Sequence, residues 1–256
     1  MKVYVINLDR APDRMARMAR LLGEMGVAFA RVPAFDGRSL PPPAAGAGDS
    51  SWRMTASEIA TIRSHQGCWD LFEQSGDPAC VILEDDVHFG RDFADFVAGE
   101  RELPPDFDLI KIETTPNKVW LDRNTERPIL GQRKLMRLAS PHLGAAGYVL
   151  SRAGLAKIRS QYQGFECPID TALFGPAAQA LTIYQMVPSL VIQDNGLKGK
   201  NSSYVGFASD INRGRKPKVR GVSKIKREIA RALAPYWPPG PMRNKWRLSY
   251  QEVAFE

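Results

Sequence analysis

Glu84, Asp85 and Asp86 stand side by side directly after Ala79-Cys80-Val81-Ile82-Leu83, an apolar run that reads as a buried strand. Three adjacent carboxylates repel one another, and at least one is driven to hold its proton unless a cation neutralises the group. A hard divalent cation, Mg²⁺ or Mn²⁺, takes oxygen ligands and leaves positions open for phosphate oxygens. If the strand continues, Glu84 and Asp86 point to one face and form the metal pair. Asp85 is then left to bond a ligand or to orient the other two. The competing reading is an N-terminal helix cap, a place that Asp and Glu also favour.

Other residues with chemical potential are more isolated. Thr55-Ala56-Ser57-Glu58 has the spacing of a capping box, and the helix it opens carries Ile59, Ile62, Gln66, Trp69 and Phe72. His65 lies on that helix beside Ser64, where a single histidine is more often structural than catalytic. His88 follows the acidic cluster, either as a loop bystander or as a metal neighbour, and His142 sits in the loop signal Ser140-Pro141-His142-Leu143-Gly144. Asp170, behind the rigid Pro168, fits either an N-cap or a general base on a loop facing an acceptor.

These residues need elements to hold them. Residues 3–8 read as a first strand, and Met15, Met18, Leu22 and Met25 as the apolar stripe of a helix stopped by Gly26. A second strand is expected near 28–32, after which Pro41-Pro42-Pro43 opens a breaker-rich loop. Strands are expected at 109–112 and 135–138, with 144–150 leading into a helix near 152–158. The alternation predicts an α/β domain with a mostly parallel sheet. In such sheets ligands lie beyond the carboxyl ends of strands, where Asn7-Leu8-Asp9 and Glu84-Asp85-Asp86 both fall.

The 256-residue chain is 44% hydrophobic and 25% charged, ordinary for a globular protein, and no apolar run approaches the roughly 20 residues that span a bilayer. The first residues break at Asn7 and Asp9 and read as a strand, not a secretory segment. Three scattered cysteines suggest neither a disulfide framework nor a metal site, and so a reducing cytoplasm. Residues 1–195 carry 21 basic and 24 acidic side chains and residues 196–256 carry 14 and 4, so the net charge of +7 belongs to the last segment. Within that segment Val222, Ile225, Ile229, Ala232, Leu233 and Tyr236 repeat at helical spacing. An amphipathic helix is expected at about 218–236, either packed on the domain or lying on an anionic membrane surface. Its scattered aromatics form no recognisable nucleic-acid motif.

Six segments taken in order resemble glycosyltransferase family 25, the lipopolysaccharide-biosynthesis glycosyltransferases related to collagen galactosyltransferases. They are Val3 to Arg10 with Arg14; Ala34-Phe35-Asp36-Gly37; Ser57-Glu58-Ile59 through Ser64-His65 and Trp69; Val81 to Val87; Gly147 to Ser151 with Gly154 and Leu155; and Pro168-Ile169-Asp170. The resemblance covers about residues 1–193. It implies a GT-A-like nucleotide-sugar-binding domain over 1–195, with 196–256 as a basic C-terminal helical tail. It implies an inverting transfer of a sugar, often galactose, from a UDP-sugar to a saccharide or lipid-linked saccharide acceptor. The donor-side pattern falls on Asn7, Leu8, Asp9, Arg14 and Asp85. The metal motif falls on Glu84, Asp85 and Asp86, of which Glu84 and Asp86 are expected to hold Mn²⁺ or Mg²⁺ and Asp85 to bond the donor or orient the ligands. The helix motif falls on Glu58, Ser64 and His65 and the late carboxylate on Asp170; of these Asp170 is expected to be the catalytic base, with Glu58 and His65 as further catalytic residues and Glu58 or Glu113 as the alternative bases.

The family usually reads Gly-Glu-Ile-Gly-Cys before the Ser-His pair, where this chain has Ser57-Glu58-Ile59-Ala60-Thr61, so a narrower site or a different acceptor is expected. Other readings of the same carboxylates are a metal-dependent nucleotidyl- or phosphotransferase, although no Gly-x-x-x-x-Gly-Lys-Ser/Thr loop is present, or a protein that binds a nucleotide sugar or nucleic acid without turnover.

Overall fold

The computed structural model describes residues 1–40, 54–99, 103–161, 167–200 and 246–256. Strand β1 (Lys2–Asn7) leads through helix α1 (Pro12–Glu24) to β2 (Ala30–Pro33), and helix α2 (Ala56–Ser75) leads to β3 (Ala79–Glu84). These three strands are parallel, with β1 in the middle. Alternate side chains of β1 and β3 enter two different cores. Val3, Val5, Val81 and Leu83 pack with Met18 and Leu22 of α1. Tyr4, Ile6, Cys80 and Ile82 pack with Ile62, Cys68, Trp69 and Phe72 of α2. The two helices therefore cover opposite faces of the sheet, as expected when the chain winds outward from β1 in both directions.

Beyond β3 the pattern changes. Short strand β4 (Val87–Phe89) and helix α3 (Phe93–Ala98) precede β5 (Leu109–Lys111), β6 (Glu113–Thr114), β7 (Lys118–Leu130), β8 (Arg133–Leu138) and β9 (Gly147–Ser151). Helices α4 (Arg152–Gln161) and α5 (Ile169–Phe174) follow. Then come a short 3-10 turn, β10 (Ile183–Val187), β11 (Val191–Gln193), α6 (Asp194–Lys200) and, after the return of the chain, β12 (Leu248–Glu252). The main sheet has nine strands in the order β12-β7-β8-β10-β5-β9-β3-β1-β2, and β4-β11-β6 form a second sheet.

The expectation of a mostly parallel sheet is corrected. Five strand pairs of the main sheet are antiparallel and three are parallel. Strand and helix alternate strictly only over residues 2–84. After that, strands follow one another with few crossover helices, which favours antiparallel neighbours. The last residues, which the sequence reading assigns to the extension, complete the sheet: β12 pairs with β7, and Val253 joins a small core with Val119, Leu121 and Met136. The amphipathic helix expected at 218–236 lies outside the described residues, as does the 41–48 loop. Among the described residues no helix is long and apolar enough to cross a membrane.

Helix α2 is bounded as its sequence dictates. Thr55 Oγ1 accepts the Glu58 amide and the Glu58 carboxylate accepts the Thr55 amide. Gly76, at φ +75°, closes the far end in the left-handed region that glycine enters freely. Thr55→Ala is expected to cost about 1 kcal/mol of stability in urea unfolding, with an unchanged m-value. A cost near zero would mean that packing alone sets the helix start.

Candidate active site

Parallel β2, β1 and β3 end at one edge, with Asn7 level with Pro33 and Ile6 level with Glu84. Their exits, Leu8 onward, Ala34 onward and Glu84 onward, meet there. Glu84 is the last residue of β3; Asp85 and Asp86 form a turn into β4. No helix follows, so the carboxylates are not a helix cap.

Each carboxylate finds a different partner. Asp85 takes Asn7 Nδ2 at 2.6 Å and Arg14 Nη1 at 3.1 Å. Asn7 is itself buried, with its Oδ1 accepting Arg31 Nε at 3.0 Å. Glu84 and Asp86 share one amide: Gln193 Nε2 donates to Glu84 Oε2 at 2.9 Å and to Asp86 Oδ1 at 3.3 Å. Strand β11 delivers Gln193, pairing it with Val87, while the Asp194 amide donates to the Asp86 carbonyl. Burial, followed by the charges of neighbouring carboxylates, pushes the Glu84 carboxyl up to about 8 and that of Asp86 up to about 7. Glu84 and Asp86 thus reach a common point while still carrying an electrostatic cost.

Two cavities share this wall. The larger, about 380 Å³, is lined by Leu8, Arg10, Arg14, Arg38, His65 and all three carboxylates, among others. Its size falls in the usual range for a small-molecule site. Arg10 Nε donates to Asp36 Oδ2 at 2.6 Å. The Arg38 amide beside Asp36, with Arg10, holds that carboxyl below its usual range. The smaller cavity, about 220 Å³, is lined by Glu58, Asp170, Leu143, Gly144, Ala145 and others; Thr61, Glu84 and Gln193 face both cavities. A Cβ on Gly37 would lie 2.8 Å from the Ser57 Cα, so only glycine lets the 34–38 turn approach the start of α2 this closely. Ser57, Ala60 and Thr61, where the sequence departs from the family pattern, all line the larger cavity.

The remaining candidates separate. His65 is fully buried; its Nδ1 lies 2.9 Å from the Tyr148 hydroxyl, which also accepts Trp69 Nε1 at 3.0 Å. His65 Nε2 lies 3.6 Å from Glu84 Oε1, too long for a hydrogen bond. Burial lowers the imidazole to about 4, so it is neutral at pH 7. Asp170 is not an N-cap: it is the second residue of α5, and its Oδ1 accepts the Thr171 amide at 2.7 Å. Glu58 lines the smaller cavity while serving the capping box. Asp9 is 81% exposed, pairs with Arg31, and lines neither cavity. Glu113 is fully buried and lines neither. His88 bonds Asp194 at 3.0 Å and Arg17 at 2.9 Å, and His142 bonds Gln185 at 2.8 Å; neither lines either of these two cavities. Sequence reasoning missed Gln193. Nothing marks it in the sequence, because it arrives from a strand more than a hundred residues away.

The family model "Glycosyltransferase family 25 (LPS biosynthesis protein)" matches residues 1–173. The chain belongs to glycosyltransferase family 25. It is similar to the lacto-N-neotetraose biosynthesis glycosyltransferase LgtE of Neisseria meningitidis serogroup B, 24% identical over 260 residues, which cover 92% of this chain and 90% of that protein. It is 30% identical over 158 residues to the lipooligosaccharide biosynthesis protein lic2B of Haemophilus influenzae, covering 58% of each. It is also 30% identical over 192 residues to a protein named probable inactive glycosyltransferase 25 family member 3 of Bos taurus, covering 67% of this chain and 31% of that one. Family membership makes this chain a glycosyltransferase. The match takes in both cavity floors except Gln193 and Asn195.

The pH response of the carboxylate pair tests its geometry. Both folded values stand above the unfolded ones of 3.8 and 4.5, so the protonated form is the one that folding favours. That stability is present below pH 4 and is lost as pH rises towards 8. In chelator, Asp86→Asn is expected to gain stability over the parent by a few kcal/mol at most between pH 5 and pH 8, measured by urea unfolding. Parallel curves would show that Asp86 is not under charge stress.

Proposed function

We propose that the enzyme moves a sugar, galactose first among candidates, from a UDP-sugar to a saccharide acceptor of a lipopolysaccharide or other surface glycan, with inversion. The observation that supports this is the shared wall: a cavity lined by three arginines and a cavity lined by Asp170 meet at Glu84, Thr61 and Gln193. Arginines suit a diphosphate. A carboxylate in the neighbouring cavity suits deprotonation of a hydroxyl. Cavities that share lining residues lie next to each other, as an inverting displacement requires, since the acceptor hydroxyl must reach the anomeric carbon from the side opposite the diphosphate.

On this reading residues 1–195 are a GT-A-like donor-binding domain, with Leu8, Arg14 and Asp85 on the donor side, Asn7 holding Asp85 from behind, and Asp9 outside the cavity. The basic segment 196–256 is an extension whose end returns to the sheet. Glu84 and Asp86 fit a hard divalent cation: they form an oxygen-only donor set, close enough to share one amide and short of positive charge. Among the described residues no group of three His, Cys, Asp or Glu side chains could hold a metal ion. Phosphate oxygens and water would therefore complete the coordination, the habit of Mg²⁺ in particular. Mn²⁺ or Mg²⁺ held by Glu84 and Asp86 would supply Lewis-acid neutralisation of the leaving diphosphate. Arg14 holds Asp85 in place and adds positive charge to the donor cavity. Asp170 takes the proton of the acceptor hydroxyl as its oxygen bonds the anomeric carbon, and the bond from that carbon to the diphosphate breaks, releasing UDP. Neutral His65 packs beside Glu84 without bonding it, and Glu58 fixes the start of α2.

Stabilisation by one UDP-sugar in the presence of Mn²⁺ or Mg²⁺, lost in chelator and accompanied by UDP release, is the expected result of a donor panel. Truncated lacto-N-neotetraose saccharides serve as the acceptor series, by analogy with the product named for the Neisseria relative. No response to any UDP-sugar would overturn the donor assignment and turn the search to GDP- and CMP-sugars. Asp86→Ala is expected to abolish metal-dependent turnover with the fold intact. Asp170→Asn is expected to lower kcat by about a hundredfold or more while donor affinity is retained; full activity would move the base elsewhere.

We place the enzyme on the cytoplasmic membrane surface, where a lipid-linked acceptor is presented, with the excess positive charge of 196–256 as the attractive element. Because residues 248–252 belong to the sheet, the test should keep them. Lys224→Glu, Arg227→Glu and Arg231→Glu together are expected to abolish sedimentation with anionic vesicles; unchanged binding would reject the surface role.

A further inference from the structure

Lys111 and Glu113 are a buried charged pair outside the machinery assigned so far. Lys111 ends β5, Glu113 opens β6, and both side chains are fully buried. Lys111 Nζ donates to Glu113 Oε2 at 3.0 Å and to the Gly144 carbonyl, and lies 4.4 Å from the centre of the Phe174 ring. Glu113 Oε2 also accepts the Ala146 amide at 2.9 Å. The Ala146 carbonyl in turn accepts the Glu84 amide at 2.9 Å.

Every one of these contacts leads to a wall of the smaller cavity. Leu143, Gly144 and Ala145 line it. Phe174 is the last residue of α5, the helix that carries Asp170. Glu84 belongs to the wall shared with the larger cavity. Gly144 has φ +109°, and a Cβ there would lie 2.8 Å from Glu113 Oε1, so the loop is drawn onto the pair as closely as bare backbone allows.

Such a pair is a poor device for stability alone. Removing two charges from water costs about as much as their attraction returns, and apolar residues of similar volume often serve stability equally well. Here the cost is aggravated, since Glu113 Oε1 has no hydrogen-bond partner among the described residues. What apolar side chains cannot supply is direction: a donor for the Gly144 carbonyl and an acceptor for the Ala146 amide. We propose that Lys111 and Glu113 are positioning residues for the acceptor, fixing the 143–146 loop against Asp170 and Glu84 so that the incoming hydroxyl meets the base and the donor in line. This rests on the reading of the smaller cavity as the acceptor site.

The test compares the parent protein with the double variant Lys111→Met, Glu113→Leu, using the metal, the active UDP-sugar and the truncated lacto-N-neotetraose saccharides. The double variant removes both charges and so leaves no unpaired ion in the core. It is expected to unfold cooperatively and to bind the UDP-sugar within about twofold of the parent, while kcat/KM for the acceptor falls about tenfold to a hundredfold, the scale of a small misplacement of reactants. Gly144→Ala approaches the same contact from the loop and carries the test if the double variant fails to fold; it is expected to show the same split between donor and acceptor. Equal loss of donor binding and of acceptor kcat/KM, or unchanged kinetics in a variant that folds, would overturn the proposal. A parent enzyme that releases UDP but glycosylates none of these saccharides would overturn the acceptor reading itself, and this proposal with it.

Discussion

Repulsion among three consecutive carboxylates organises the centre of this protein. Glu84, Asp85 and Asp86 leave a buried strand with no residue between them, and each is answered from a different part of the chain. Asp85 is matched by Arg14 from the first helix and Asn7 from the first strand. Among the described residues Glu84 and Asp86 accept a side-chain hydrogen bond only from the Gln193 amide, with the Arg14 charge acting on both from farther off, and their carboxyls stay well above the usual range. One carboxylate is satisfied and two are left wanting positive charge beside a cavity lined by arginines. That asymmetry marks the acidic turn as a candidate site.

The fold serves this asymmetry in two ways. Parallel β2, β1 and β3 end together, so three exits converge at one edge. The second sheet then closes the site from the other side, because β11 must pair with β4 to bring Gln193 to the acidic turn. Nearby buried and half-buried polar groups are hydrogen-bonded in sets: His65 with Tyr148 and Trp69, His142 with Gln185, His88 with Asp194 and Arg17. Such sets hold side chains in single orientations within the core, which is the support a reacting centre needs.

The legible parts were those governed by near neighbours in sequence. The capping box at Thr55, the glycine stop at Gly26 and the apolar strand before Glu84 could be read because each depends on residues within one or two turns. Strand β7 escaped notice because much of it is polar, with an exposed stretch and a proline, and its pairing supplies what its composition lacks. Strand β12 escaped for a related reason: five residues behind a basic segment carry no periodicity, and only the open edge of β7 makes them a strand. The parallel bias was overestimated because strict alternation stops at residue 84.

Sequence alone determined the chemistry available: an acidic triplet at a strand end, a family-specific order of motifs, and a basic final segment. It did so because charge, apolar runs and caps are properties of adjacent residues. Tertiary structure decided how that chemistry is distributed. It set Asp9 out in solvent, buried Glu113 beneath the second cavity, brought Gln193 to bridge Glu84 and Asp86, and placed Asp170 in a separate cavity across a shared wall. These placements depend on strand order and on contacts between residues as much as 109 positions apart, which no local pattern encodes.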